Sequence, residues 1–164
     1  MNIFYLDRDL DSCVAFHADK HVVKMCIEYA QLLCTAIHIG DPSKVQDWMY
    51  KSTHKNHPDA VWARQSKDHW IYLRDLAVGL GDEYYHRYGI DKNKRHRSIE
   101  EVVKQLPVPD LPNKGWMDPP QCVSDTCLSD DVVDAYRKYY VAAKTDLASW
   151  TKRDVPEWWA EYSK

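Results

Sequence analysis

His17, His21, Lys24 and Glu28 follow one another at spacings of four, three and four residues, and Gln31 continues the series. At about 100° per residue they form one narrow stripe along a helix. Two imidazoles, an ammonium and a carboxylate on one line are the ingredients of general acid–base chemistry. Val14, Val22, Val23, Met25, Cys26, Ile27, Ala30, Leu32, Leu33 and Ile37 occupy most of the remaining cylinder. A helix apolar over so much of its surface is expected to be buried. Its polar stripe must then line a cleft or meet partners, because buried charge without a partner is costly. The expectation is one concave pocket holding all four side chains, with Glu28 substantially buried. The competing arrangement is a solvated stripe carrying an ordinary Lys24–Glu28 pair.

The elements that would position this stripe follow from periodicity and punctuation. Residues 2–6 are a short apolar lead-in, strand-like or extended. Asp11 or Ser12 caps a long helix running to about Ile39, and Gly40 stands where a terminating glycine belongs. A short helix near Ser43–Tyr50 follows. Pro58 begins a second long helix through Val61, Trp62, Trp70, Leu73, Leu80 and Tyr84 to Gly89, with Gly79 and Gly81 as points of kinking. Ser98 and Glu101 read as a capping box. Residues 106–128 hold five prolines and read as an ordered loop. Ser129, with Asp130 and Asp131, opens a last long helix to about Trp150, whose apolar positions include Val133, Tyr136, Tyr140 and Leu147. The fold class is all-α: one compact domain over residues 1–164, three long helices plus short ones.

Other groupings suggest binding. Asn56-His57-Pro58 opens a helix carrying Trp62, Arg64 and Gln65, and a helix N-terminus attracts anions. Capping by Asn56 is the structural alternative. Arg87 and the run Lys92–Arg97 make the one basic patch. Gln121, after Pro119-Pro120, either lies over a cleft or packs a rigid loop. Tyr136-Arg137-Lys138-Tyr139-Tyr140 mixes aromatics with cations, which suits nucleotide stacking, although its tyrosines stand at core spacing.

Composition narrows the choices. The formal net charge of −3 argues against a strongly basic duplex-binding surface. Seven Trp and eleven Tyr stand against two Phe, a bias toward rings with polar tips. Five scattered cysteines, with no signal peptide, read as reduced thiols of a cytoplasmic protein. Cys13, His17 and His21 share a face at a spacing a metal could use, but no fourth ligand follows, so neither metal nor cofactor is expected.

Ala18-Asp19-Lys20-His21-Val22, with Glu28 seven residues after His21, resembles the first helix of phage pyrimidine-dimer DNA glycosylases of the endonuclease V type. His57-Pro58, Trp62, Leu73, Glu83 and Arg87-Tyr88-Gly89 resemble that family's second long helix, and the aromatic-basic stretch at Tyr136–Tyr140 its tail. Over nearly its full length the chain also looks like small tailed-phage proteins, some of them labelled pyrimidine-dimer glycosylases. The resemblance implies an endonuclease V-like fold and an enzyme acting at a nucleotide's glycosidic or base carbon with an amine nucleophile. Glu28 would be the general acid/base or would stabilise a cationic sugar. His21 and His17 would orient substrate or relay protons. Lys24 would bind phosphate or supply the amine. The family uses the α-amine of residue 2; Asn2 here normally leaves Met1 in place, so the α-amine would be that of Met1. Asn2, Asn56, His57, Arg64, Gln65, Arg87, Gln121 and Arg137 are the candidate nucleotide contacts, with Trp62 and Tyr139 stacking. The expected partner is a nucleotide or a single-stranded or modified nucleic acid rather than plain duplex, with no membrane. Two alternatives remain: a phage base- or nucleotide-modification enzyme, and a non-catalytic protein that sequesters a nucleotide signal or blocks a host protein.

Overall fold

Two helices stand where periodicity predicts one. In the computed structural model, which describes residues 1–164 and every side chain except that of Leu147, α1 spans Leu10–Phe16 and α2 spans Asp19–Gly40. The core role expected for the Leu147 side chain lies outside the described residues. His17 and Ala18 between the helices are extended, with ψ of 126° and 155°. The break is tertiary in origin. The carbonyls of Ala15 and His17 accept from Arg87, and that of Phe16 accepts from the Trp150 indole. With their carbonyls taken by side chains, these residues gain nothing from continuing the helix. Asp9, not Asp11 or Ser12, caps α1 by accepting from the Ser12 amide.

The second long helix is also divided. α3 is Pro58–Gln65 and α4 is Lys67–Tyr84. At the junction His69 Nδ1 donates to the Trp62 carbonyl, and the Lys67 amide donates to Pro112. The proline loop thus completes this break. α4 runs unbroken past both glycines and widens into a π turn at Tyr85–Gly89. Gly79 and Gly81 are points of close approach, not kinks. A Cβ on Gly81 would sit 2.7 Å from Ile99 Cγ2, and one on Gly79 would sit 2.8 Å from Val14 Cγ2. Ile99 is fully buried, so Gly81→Ala is expected to destabilise the protein by roughly 1–2 kcal/mol, despite alanine's helix advantage of about 1 kcal/mol. Chemical denaturation measures this, and a neutral or stabilising result would show that the contact has slack.

Smaller expectations also shift. The helix expected near Ser43–Tyr50 is only a 3₁₀ turn at Pro42–Lys44. Ser98 caps nothing: its hydroxyl bonds Tyr50, while Glu101 pairs with Arg97. α5 spans Val132–Lys144 and is capped by Asp131, not Ser129; α6 spans Glu157–Tyr162 and returns Trp158 to the core.

α2 is the centre of the fold, packed against α3 and α4. It buries Val22, Met25, Cys26, Tyr29, Leu33 and Ile37, whereas Val23 and Ile27, expected inside, are 38% and 41% exposed. By length and composition α2 could cross a membrane, but most of it is buried within the protein. The extended lead-in threads beneath it, with Ile3, Phe4, Tyr5 and Leu6 all buried. Among the described residues there is no strand. The architecture is all-α, one compact domain in which α2, α4 and α5 are the long elements.

Candidate active site

The four residues of the stripe are divided among different environments. His17, at the end of α1, is fully buried; its Nδ1 donates to the Cys13 carbonyl and its Nε2 accepts from the Tyr29 hydroxyl. His21 is also buried, stacked on Phe4 at 4.4 Å, with Nδ1 accepting from Tyr140 at 2.6 Å. Burial lowers both imidazoles, to about 4 for His17 and about 3 for His21, so both are neutral at pH 7. Lys24 lies outside with its side chain 68% exposed. Its Nζ is 3.1 Å from the carboxylate of Glu28, which is only 16% exposed. The single pocket expected for all four does not form; Glu28 alone of them is half-sheltered, and its charge reaches His57, one of a set of reactive groups.

Those groups come from the N-terminal segment and the start of α3. His57, not Asn56, caps α3, its Nδ1 accepting from the Asp59 amide at 3.1 Å. Asp59 follows in the first turn, fully buried, and its Oδ2 accepts from the Ile3 amide at 2.9 Å. Asp59 Oδ1 has no hydrogen-bond partner. Burial raises the Asp59 carboxyl to about 7, against the lowering effects of the Ile3 amide, Cys122 and the Met1 α-amine. His57 is lowered by burial and then by the Met1 α-amine and His54, while Glu28 raises it. Burial and the nearby Asp59 push the Cys122 thiol up to about 12. The Met1 α-amine therefore acts on His57, Asp59 and Cys122 alike, Asp59 and Cys122 act on each other, and the charge of Glu28 reaches His57. Amine attack on an electrophilic carbon with carboxylate assistance is within reach of such a set.

Most of the other candidates hold the fold together. Arg87 is buried, bonded to Glu83 and Asp19 and to the carbonyls of Ala15 and His17. Arg137 donates to the Leu6 carbonyl and Asp7 and lies 5.2 Å over Trp158. Arg64 closes the turn before α3 through the carbonyls of Lys55 and Ala60. Trp62 is buried, stacked at 4.3 Å on His69 and bonded to Met117. Gln121 clasps both backbone groups of Ser129, so it packs the loop. Tyr139 is half-buried beneath Lys144. Asn2 is half-buried, and Asn56 and Gln65 are exposed. In the basic patch, Arg95 pairs with Asp82 and Arg97 with Glu101, which mutes its charge.

Sequence reading missed Asp59 and Cys122. An Asp just after His-Pro reads as an acid suited to a helix's first turn. The sequence does not show that the Ile3 segment seals it from solvent. Cys122 looks isolated because its neighbours in space come from residues 57–59. A surface cleft of about 500 Å³ between Leu10, Val78 and Val103 is separate from this region. No known protein family, curated protein or solved structure matches the chain.

Proposed function

We propose that the chain is a pyrimidine-dimer-glycosylase-like enzyme, built on an endonuclease V-like arrangement, that acts on the N-glycosidic bond or base carbon of a nucleotide. The observation that supports this is the half-sheltered Glu28 carboxylate. It lies 3.1 Å from one amine, and it acts on the same imidazole as a second amine, that of Met1. In this reading an amine attacks the sugar carbon as the base departs, and Glu28 stabilises the cationic sugar or moves the proton. The Met1 amine is the favoured nucleophile, because Met1 is half-buried whereas the Lys24 side chain extends into solvent.

The arginines bear on substrate size. Arg64, Arg87 and Arg137 are all engaged within the protein, and the whole carries a net charge of −3. None of these three guanidinium groups is left to grip a duplex backbone, and the acidic whole disfavours one. A mononucleotide or a single-stranded or modified nucleic acid fits this surface, and five unpaired cysteines suit a reducing cytoplasm.

Borohydride reduction in the presence of an abasic single-stranded oligonucleotide is expected to trap a covalent adduct. Peptide mass mapping should place it on the Met1 amine, or otherwise on Lys24. Glu28→Gln should retain ligand binding while losing turnover about 100-fold or more. A folded protein that yields neither adduct nor turnover with damaged, modified or free nucleotides would be a binder, and this reading would fail.

A further inference from the structure

We propose that His57, Asp59 and Cys122 form a three-ligand site for a divalent transition-metal ion of the zinc class, with a fourth position left for water or substrate. One ligating atom from each residue lies within 4.8 Å of the other two. A tetrahedral zinc ion holds its ligand atoms roughly 3–4 Å apart, so binding requires the triad to draw in by about 1 Å. His57 Nδ1 is 3.9 Å from Asp59 Oδ2, the oxygen that accepts from the Ile3 amide, so the ion would take the carboxylate's other oxygen, Oδ1. A mixture of imidazole nitrogen, carboxylate oxygen and thiolate sulfur suits zinc or cobalt; calcium and magnesium prefer oxygen alone.

A second, independent observation points to an occupant. Asp59 is fully buried, yet its Oδ1 meets no partner in good hydrogen-bond geometry, the Cys122 thiol being the polar group that approaches the carboxyl. A buried acceptor without a partner is costly and rare, and an ion in the triad would satisfy it. The scaffold is also fixed. His57 and Asp59 stand on the cap and first turn of α3, and the Ile3 amide holds the other oxygen of Asp59. Cys122 follows a segment secured by the Gln121–Ser129 clasp, and Tyr136 bonds both the Cys122 amide and the Pro120 carbonyl. The ion would replace the Asp59 amide at His57 Nδ1, and the thiol would give up its proton on binding.

This inference does not rest on amine chemistry, and its readout is separate. Cobalt(II) titrated into the metal-free, reduced full-length protein is expected to bind at one equivalent. It should give a near-ultraviolet thiolate-to-cobalt charge-transfer band and the visible absorption of a tetrahedral ion, both abolished by zinc. Cys122→Ser should lose the charge-transfer band. Asp59→Asn keeps an acceptor for the Ile3 amide and should weaken cobalt affinity at least tenfold, with circular dichroism confirming that the variant is folded. The absence of the band in the unaltered protein would overturn the site. So would its persistence in Cys122→Ser, or parental affinity in folded Asp59→Asn. Borohydride trapping by the metal-free protein would leave the amine reading intact whichever way the cobalt result falls.

Discussion

Arg87→Ala is expected to cost about 3–5 kcal/mol of stability, the scale for breaking a buried ion pair. Arg87 donates to Glu83 at 2.7 Å, Asp19 at 2.9 Å, and the carbonyls of Ala15 and His17 at 2.9 and 3.0 Å. Burial alone would raise both carboxyls. For Asp19 the bonds from Thr151, Arg87 and Ser149 reverse this, and for Glu83 those from Arg153 and Arg87 do, leaving both below their usual range. Without Arg87, Asp19 keeps only hydroxyl and amide donors, Glu83 keeps Arg153, and two backbone carbonyls lose their donors. Against a typical domain stability of about 5–15 kcal/mol, this variant should melt roughly 10 °C lower or fail to accumulate. The same experiment tests the nucleotide-contact role that the sequence suggests. A variant that keeps its melting temperature while losing ligand affinity would make Arg87 a binding residue and not a structural one.

Mild acid should also destabilise the protein through two buried histidines, while Asp59, raised to about 7, gains its proton in the folded state and offsets part of the loss. His17 and His21 sit near 4 and 3 when folded, against about 6.5 for a free imidazole. The stability conferred by keeping them neutral is complete above pH 6.5. It is lost as pH falls from there toward the folded values, because the unfolded chain binds protons that the core refuses. Burial dominates both shifts. Arg87 deepens that of His17 against the opposing Cys13 carbonyl and Glu83, and His17, Lys144 and Lys24 deepen that of His21. For the two histidines together the loss by pH 4.5 is on the order of 5 kcal/mol. His21→Gln should reduce the slope of stability against pH between 6 and 4.5 by about 1.4 kcal/mol per unit, one proton's worth. Denaturation midpoints across that range measure it. An unchanged slope would mean that His21 reaches water more readily than its packing against Phe4 and Tyr140 implies.

The fold class and the three long helices were legible because α2, α4 and α5 carry apolar side chains at helical spacing. The break between α1 and α2 was not, because its cause lies far along the chain: Arg87 is 70 residues from His17, and Trp150 is 134 residues from Phe16. Similarly, Ser66 ends α3 because Pro112 and His69 capture the neighbouring backbone groups. The stripe of His17, His21, Lys24 and Glu28 was read correctly as spacing and too generously as a surface. The lead-in Ile3–Leu6 and Tyr140 cover its first two members, and solvent takes the third. Glu28 keeps a half-sheltered place on the stripe. Asp59 and Cys122 escaped notice because no local pattern marks an acid that another segment will bury. The arginines show the opposite error: a cation near aromatics in sequence suggests a ligand, whereas these ones bind carbonyls and carboxylates of their own chain.

The knot around Asp19 also sets a timetable for synthesis. Asp19 accepts from Arg87, 68 residues downstream, and from Thr151, 132 residues downstream. Glu83 likewise awaits Arg153, 70 residues further on. At a translation rate of about 5–20 residues per second, a nascent chain that has made Arg87 waits roughly 3–13 s for the donors that complete the knot. Until then the loop from Ser149 to Arg153 cannot close over Asp19, and Trp150 cannot cap the end of α1. The N-terminal helices emerge from the ribosome first but reach their final packing only when this late-made strap arrives, and in that interval the chain is open to chaperones and proteases.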